Sequence, residues 1–209
     1  MHNQHIHSIT IVGAGTMGNG IAHVCAMAGF PVKLMDSSEE QLRMALQTIE
    51  KNLTRMAEKQ KIKPIEVGAS LARIQTFTDT KQAVSGADMV LEVVPEQLSL
   101  KKQIWSQIEQ GIDSKRLKQT IFATNTSSIS ISELAEGITH PENMIGMHFF
   151  NPVPVMSLVE IILGNKTSEQ TSKTFESLTN DLGKTPIRVH DLPGVFSNRL
   201  LMPIIKKAI

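Results

Sequence analysis

A histidine and a glutamate in the C-terminal half of the chain have the residue types and surroundings of an acid–base pair. His148 follows one apolar run and Glu160 lies in the next. A carboxylate beside an imidazole orients the ring and raises its basicity, as a general base requires. Pro152 and Pro154 push the residues before them into extended backbone, so a stiff turn could hold His148 in place. A hydrogen-bonded structural histidine fits the spacing equally well, and the spacing alone leaves both interpretations open.

Two other polar clusters could complete such a site. The run Thr124-Asn125-Thr126-Ser127-Ser128 directly follows an apolar strand, and Ser197-Asn198-Arg199 lies on the last predicted helix. Open α/β sheets bind ligands at the carboxyl ends of their strands, where the first cluster falls. A hydrolase with Ser127 as nucleophile is disfavoured, because no G-x-S-x-G motif surrounds Ser127. The chain order serine, histidine, acid also differs from the order serine, acid, histidine of hydrolases with that motif.

The N-terminal part of the chain carries a pattern typical of dinucleotide binding. The apolar run Ile9–Val12 leads into Gly13-Ala14-Gly15-Thr16-Met17-Gly18, a G-x-G-x-x-G motif followed by a helical segment. Gly13 permits the tight turn, Gly15 lets the backbone approach a pyrophosphate, and Gly18 lets the helix pack closely on the strand. The helix N-terminus favours the negative charge of the pyrophosphate. We therefore predict a nucleotide-binding βαβ unit, against the alternative of an ordinary strand-to-helix corner.

Asp36 indicates which dinucleotide this unit binds. It ends the second apolar run, Val32–Met35, at the distance from Gly18 where the ribose carboxylate belongs. A carboxylate accepts hydrogen bonds from both ribose hydroxyls but repels a 2′-phosphate, which an arginine usually holds. The first arginine after Asp36 is Arg43, several residues further on. The sequence therefore predicts NAD rather than NADP.

These side chains require a sheet that brings their strands together. Apolar runs of strand length alternate with helical segments, which predicts an α/β fold with a Rossmann-type, doubly wound and mostly parallel sheet. The longest helix is predicted over 39–59, with Ser37 or Ser38 as its cap and Lys63-Pro64 near its end. The predicted strands are Ile9–Val12, Val32–Met35, Ile74–Phe77, Met89–Val93, Ile121–Thr124, Met144–Met147, Leu158–Ile162 and Ile187–Val189.

Composition argues against several classes of protein. The chain has 209 residues, of which 41% are hydrophobic and 20% charged, as is typical of soluble globular proteins. A net charge of +1, a single Trp and no Tyr argue against nucleic acid as a partner. No apolar segment is long enough to span a bilayer and no secretory signal is visible, so we expect a cytoplasmic protein without membrane partners. Cys25 is the only cysteine, which excludes cysteine-rich metal sites, and we predict no metal centre.

The order of motifs along the chain resembles that of the L-3-hydroxyacyl-CoA dehydrogenase family, which includes 3-hydroxybutyryl-CoA dehydrogenases. The resemblance covers nearly the whole chain, and several long motifs in the same order make it specific. These motifs are Gly13-Ala14-Gly15-Thr16-Met17-Gly18, Glu92-Val93-Val94-Pro95-Glu96, Asn125-Thr126-Ser127-Ser128, His148-Phe149-Phe150-Asn151-Pro152-Val153-Pro154, Leu158-Val159-Glu160, Asp191-Leu192-Pro193-Gly194 and Asn198-Arg199-Leu200-Leu201.

The resemblance implies a reaction and its catalytic residues. It implies NAD-dependent oxidation of a short-chain L-3-hydroxyacyl-CoA, such as 3-hydroxybutyryl-CoA, to the 3-ketoacyl-CoA in fatty acid metabolism. By this resemblance His148 takes the hydroxyl proton and Glu160 steadies the imidazolium. Ser127 and Asn198 hydrogen-bond the reacting oxygen and fix the reacting carbon near the nicotinamide.

The resemblance also assigns binding residues. Asn52 and Lys59 correspond to positions near CoA, and a lysine beside a CoA phosphate makes electrostatic sense, although Lys59 fits a solvated helix end equally well. The positions that correspond to NAD contacts are Gly13, Gly15, Thr16, Met17, Gly18, Asp36, Glu96, Lys101 and Asn125.

We predict two units, an NAD-binding domain over 1–190 and the start of a truncated helical domain over 191–209. Family members continue with a helical domain that closes the acyl-CoA cleft and forms the dimer interface, so a homodimer is expected for the full-length protein. The last predicted helix has a broad apolar face that requires a missing domain or a partner chain as cover, unless the chain is truncated. Two alternatives remain open: a sister dehydrogenase acting on a sugar acid such as gulonate, and a non-catalytic NAD-binding module.

Overall fold

The residues that the structure describes form one sheet of eight strands with helices on both of its faces. The computed structural model describes residues 6–191. The strands are β1 (Ile9–Val12), β2 (Val32–Met35), β3 (Ile74–Phe77), β4 (Met89–Glu92), β5 (Ile121–Thr124), β6 (Met144–Phe149), β7 (Leu158–Leu163) and β8 (Thr185–His190). The helices are α1 (Thr16–Met27), α2 (Glu39–Glu58), α3 (Pro64–Leu71), α4 (Thr80–Val84), α5 (Leu98–Gly111), α6 (Ser114–Leu117), α7 (Ile131–Ala135) and α8 (Glu169–Asp181), with a 3-10 turn at Pro141–Asn143.

The order of the strands creates a natural ligand site beside β1. The sheet runs β3-β2-β1-β4-β5-β6-β7-β8, so the chain moves outwards from β1 to β3 and then returns to the other side of β1. The first six strands are parallel, whereas β7 pairs antiparallel with β6 and β8 runs parallel to β7. Open α/β sheets bind ligands at such a reversal. This architecture confirms the predicted Rossmann-type, doubly wound and mostly parallel sheet.

Both faces of the central strands β1, β4 and β5 are buried, and each face has its own apolar core. Ile9 and Ile11 of β1 pack in a cluster with α1 and α2, while Val12 belongs to a cluster that includes Trp105 of α5. Trp105 is fully buried and meets Phe122 of β5 edge to face, with ring centroids 5.5 Å apart and ring planes at 72°. Burial on both faces explains why the central strands are continuous apolar runs rather than alternating patterns.

Most predicted strands and the longest helix lie where the sequence placed them. The bounds of β1, β2, β3 and β5 are those predicted, and α2 ends at Glu58 rather than at residue 59. Ser38 caps α2 by accepting a hydrogen bond from the N–H of Gln41 at 3.2 Å. Pro64, predicted near the end of α2, follows the helix end at Glu58 and opens α3 at a position where its missing N–H costs no hydrogen bond.

Two differences near the ends of elements affect the candidate site. β6 extends to Phe149, so His148 is a strand residue whose neighbour in the sheet is fixed by the pairing with β7. The predicted second unit, 191–209, lies outside the described residues apart from Asp191, and so does Asn198. Asp191 accepts hydrogen bonds from Ser130, Ile131 and Ser132, and thereby joins the end of the described chain to the start of α7.

Candidate active site

A cleft of about 1430 Å³ opens at the carboxyl ends of the central parallel strands. Its walls combine the turn after β1, the end of β2, the loop after β4, the loop after β5 and the end of β6. Most of the predicted cofactor and catalytic residues therefore meet in one place. Those that line the cleft are Gly13, Gly15, Thr16, Met17, Asp36, Glu96, Asn125, Ser127 and His148.

The glycine turn leaves room for a ligand at one glycine and for none at the other two. Gly13 has φ +110°, and a Cβ there would lie 2.7 Å from the carbonyl oxygen of Val93. A Cβ on Gly18 would lie 1.8 Å from the oxygen of Gly13, so this glycine lets α1 pack against the turn. Gly15 has no atom within 4 Å of the same position. Because no side chain caps α1, the helix N-terminus is left to bind an anion.

Alanine at these glycines should separate ligand binding from folding. Gly15→Ala fills open space, so we expect unchanged stability but NADH affinity reduced about tenfold or more, since the methyl group occupies the pyrophosphate site. Gly18→Ala forces backbone apart and should cost about 3 kcal/mol of unfolding free energy. Urea unfolding and a fluorescence titration with NADH measure the two effects. Equal loss of affinity and stability in both variants would contradict this assignment.

Asp36 lies in the cleft with its carboxylate held in one orientation. Its Oδ2 accepts the N–H of Ala14 at 2.9 Å, and its Oδ1 accepts the N–H of Ser38 at 3.0 Å. Each oxygen of a carboxylate has a second lone pair, so both can still accept a hydroxyl. This geometry fits the pair of ribose hydroxyls of a dinucleotide.

His148 and Glu160 face each other across the antiparallel β6–β7 pair. They are register partners, and Nδ1 of His148 lies 2.7 Å from Oε2 of Glu160. The carboxylate is 1% exposed and the histidine 9% exposed. The centroid of the Phe150 ring lies 4.7 Å from the centroid of the imidazole ring of His148. Since Nδ1 is engaged by the carboxylate, Nε2 is the nitrogen available to a ligand, and the pair has the geometry of an oriented base.

Glu96 holds the turn that carries Ser127. Its Oε1 accepts hydrogen bonds from the Thr126 hydroxyl, from the N–H groups of Ser127 and Ser128 at 3.0 Å each, and from the Ser128 hydroxyl at 2.8 Å. Burial opposes ionisation of Glu96, but the bonds from Thr126, Ser128 and Ser127 and the charge of Lys101 outweigh it and lower the pKa of this carboxyl. The loops after β4 and β5 are thereby joined at the cleft wall.

Lys101 lies behind the cleft wall rather than in it. It is fully buried, and its Nζ lies 2.7 Å from Oε1 of Glu92, 3.2 Å from the carbonyl oxygen of Val94 and 3.5 Å from Oε2 of Glu96. Glu92 also accepts the Thr124 hydroxyl at 2.6 Å. The sequence-based prediction of Lys101 as a residue lining the cofactor pocket therefore differs from its position, because the fully buried Glu92 draws the ammonium inwards. The apolar run around Glu92 indicates a buried carboxylate, but it does not indicate which residue is its partner.

The predicted CoA-binding residues lie apart from each other. Asn52 lines a second cavity of about 300 Å³ between α1, α2 and residues 151–154. Thr16, Gln41 and Asn151 line both this cavity and the large cleft, so the two adjoin. Lys59 is exposed at the end of α2 and does not line either cavity. Asn52 is thus beside the cleft, whereas Lys59 is about two helical turns further along.

Asn125 connects the ends of β5 and β6 at the cleft. Its Oδ1 accepts the N–H of Phe149 at 2.9 Å, which fixes the strand end next to His148.

Across residues 6–191 no group of three His, Cys, Asp or Glu side chains could hold a metal ion. In the same part of the chain, no helix combines the length and the apolar content needed to cross a membrane.

Comparison with known proteins identifies the family. The family described as 3-hydroxyacyl-CoA dehydrogenase, NAD binding domain, matches residues 8–192. A probable 3-hydroxybutyryl-CoA dehydrogenase of Bacillus subtilis is 41% identical over 204 residues, which cover 98% of this chain and 69% of the relative. The crystal structure of (S)-3-hydroxybutyryl-CoA dehydrogenase from Ralstonia eutropha superposes with a TM-score of 0.93 at 42% identity, covering 98% of this chain and 70% of that one.

The chain covers only part of its relatives. The fatty acid oxidation complex subunit alpha of Acinetobacter baumannii is 40% identical over 198 residues, which are 95% of this chain and 27% of that subunit. The chain thus spans about a quarter of that subunit and about two thirds of the shorter dehydrogenases. The matched family region contains the glycine turn, Asp36 and the His148–Glu160 pair. This chain belongs to the 3-hydroxyacyl-CoA dehydrogenase family and carries its NAD-binding domain.

Proposed function

We propose that the full-length protein oxidises L-3-hydroxyacyl-CoA to 3-ketoacyl-CoA with NAD, in the β-oxidation of fatty acids. The observation that carries the proposal is the His148–Glu160 pair, 2.7 Å apart, in the same cleft as the glycine turn and Asp36. A base beside a dinucleotide site is what abstraction of a hydroxyl proton requires. The names of the relatives from Bacillus subtilis and Ralstonia eutropha, both 3-hydroxybutyryl-CoA dehydrogenases, support a short acyl chain.

In the proposed reaction, the alcohol carbon loses a hydride and the hydroxyl loses a proton as the carbonyl forms. NAD supplies the hydride acceptor when bound. Nε2 of His148 takes the proton, because Nδ1 is engaged by Glu160. The charge of Glu160 then stabilises the imidazolium through the same hydrogen bond. We assign Ser127 and Asn198 to the reacting oxygen, and Glu96 supports the Ser127 turn from behind.

The residues around β1 and β2 hold the cofactor in this proposal. The N–H groups of Gly13 and Ala14 are engaged by Met35 and Asp36, so the backbone N–H groups from Gly15 to Met17 bind the pyrophosphate, and Asp36 binds the ribose hydroxyls. Asn125, at the cleft end of β5, is assigned to the nicotinamide side. Asn52 contacts the CoA part of the substrate from the second cavity, and Lys59 meets a CoA phosphate beyond it.

We also propose a cytoplasmic location and a homodimer for the full-length protein. The single cysteine, Cys25, is buried, and burial raises the pKa of its thiol to about 12, so that it stays protonated and unreactive. One cysteine cannot form a disulfide within the chain, which fits a reducing compartment. The dimer rests on the family resemblance.

Reduction of acetoacetyl-CoA tests the proposed function. We expect NADH to bind this chain, as measured by its fluorescence, and to be oxidised when acetoacetyl-CoA is added. The same assay with a keto sugar acid in place of acetoacetyl-CoA tests the alternative that the protein is a dehydrogenase of sugar acids. If this chain binds NADH without oxidising it, the assay is repeated with the chain extended by the C-terminal domain of the Bacillus subtilis relative. Failure of both forms with acetoacetyl-CoA would overturn the proposal.

A further inference from the structure

The turn between β6 and β7 separates the two cavities. Residues 151–154 line the smaller cavity, and Asn151 also lines the large cleft. Within the turn, the N–H groups of Val155 and Met156 both bond to the carbonyl oxygen of Pro152, at 2.9 and 3.0 Å. The position of this turn therefore sets the opening between the cofactor cleft and the cavity beside Asn52.

The end of α8 directs a lysine beneath this turn. Gly183 has φ +69° and follows Leu182, the residue at the C-terminal cap of the helix. The N–H of Gly183 bonds to the carbonyl of Asn180 at 2.9 Å, and the N–H of Lys184 bonds to that of Thr179 at 3.0 Å. This pair of bonds is a Schellman motif, which ends a helix and reverses the chain. Lys184 is thereby aimed back into the molecule instead of into solvent.

Lys184 binds the turn through two carbonyl groups. Its Nζ donates to the oxygen of Val153 at 2.6 Å and to that of Met156 at 2.7 Å, and the residue is 9% exposed. Within residues 6–191 the ammonium forms no ion pair, so its polar partners are backbone carbonyls. Burial lowers the pKa of Lys184, and burial together with its charge lowers the pKa of the nearby His23 to about 4. A buried cation without a carboxylate is costly, which argues that it serves more than packing.

The other side of the turn is held by contact with α1. Val153 is buried, and a Cβ on Gly20 would lie 3.0 Å from its Cβ atom. The turn thus presses against a helix position without a side chain while Lys184 holds its carbonyl groups. A group fixed from both sides has little freedom to move, as positioning of a substrate passage requires.

We propose that Lys184 is a positioning residue for the acyl-CoA substrate. By holding residues 153–156 against α1, it fixes Asn151 and the opening between the two cavities. The identity of the substrate in this inference rests on the proposed function. The contact of Lys184 with the turn does not depend on that function. Cofactor binding does not depend on it, because the pyrophosphate and ribose sites lie on the turn after β1 and at Asp36.

The test compares Lys184→Met with Lys184→Gln, and with Lys166→Met as an exposed control. Hydrogen exchange measures the turn, an NADH titration measures the cofactor site, and steady-state kinetics with acetoacetyl-CoA measure KM and kcat separately. In Lys184→Met we expect exchange at Val155 and Met156 to be about tenfold faster, and KM to rise about tenfold. The Kd for NADH and kcat should stay within about twofold of wild type.

Each outcome decides one of the two proposals. Two results would overturn the positioning role. In the first, hydrogen exchange in the turn is unchanged in Lys184→Met. In the second, the KM, the Kd for NADH and the exchange rates throughout the chain all rise together. If Lys184→Met fails to fold, the test rests on Lys184→Gln, which keeps a hydrogen-bond donor. In this variant we expect smaller rises in turn exchange and in KM. Exchange and KM equal to those of wild type would count against the positioning role. The proposed function is rejected if the wild-type chain binds NADH but does not reduce acetoacetyl-CoA, either by itself or extended by the C-terminal domain. In that case, hydrogen exchange in the turn still tests whether Lys184 holds the turn.

Discussion

Replacing His148 with Gln is expected to lower the rate of acetoacetyl-CoA reduction by about a hundred- to ten-thousandfold, the usual contribution of a positioned acid or base. In this direction the imidazolium returns the proton to the carbonyl oxygen, and an amide has no proton of suitable acidity to give. Glutamine fills a similar volume and can still donate to Glu160, so the cleft should keep its shape. The Kd for NADH should therefore remain close to that of wild type.

A second histidine provides the control for this experiment. His190 is exposed on β8 and does not line the cleft, so His190→Gln should leave both rate and NADH affinity unchanged. Single-turnover measurement of NADH oxidation separates the chemical step from product release. A His148→Gln variant with a near-normal chemical step would refute the role of this residue as the base.

Replacing Lys101 with Met should lower the free energy of unfolding by about 3–5 kcal/mol, because a buried charge would lose its partner. Glu92 is fully buried and would keep its carboxylate among apolar strands without the ammonium that lies 2.7 Å away. Such a loss is a large share of the stability of a typical domain. Urea unfolding of the purified variants measures it.

Two further variants make the Lys101 result specific. Lys102→Met changes the neighbouring, less buried lysine and should cost less than about 1 kcal/mol. Glu92→Gln combined with Lys101→Met should recover part of the stability, because a neutral amide does not need a buried cation. A double variant no more stable than Lys101→Met alone would argue against the ion pair as the cause.

The sequence was sufficient to predict the sheet and much of the cleft. Apolar runs such as Ile9–Val12 and Ile121–Thr124 are bounded by glycine, proline or polar residues, so their ends could be read locally. The pairing of His148 with Glu160 was predicted as well, and the antiparallel register of β6 and β7 places them opposite each other. These features depend on local pattern or on neighbouring strands.

The supporting contacts could not be predicted, because they join residues far apart in the chain. Glu96 binds the turn around Ser127 only because β4 and β5 are neighbours in the sheet. Lys184 reaches Val153 because α8 and β8 return beside β7, and nothing in either local sequence indicates that contact. Lys101 has helical spacing, but its direction depends on the charge buried at Glu92. Loop-to-loop geometry is thus fixed by topology rather than by local propensity.

The buried edge-to-face pair of Trp105 and Phe122 has an optical consequence. Trp105 is the only tryptophan and the chain has no tyrosine, so near-ultraviolet emission comes from one indole. Within the described residues the indole N–H has no hydrogen-bond partner, and its surroundings are apolar, which should give emission at short wavelength. Its helix neighbours Ile104 and Gln107 line the cleft, so reduced nicotinamide dinucleotide bound there should quench this emission by energy transfer. A single native chromophore thus reports both the integrity of one core and the occupancy of the cleft.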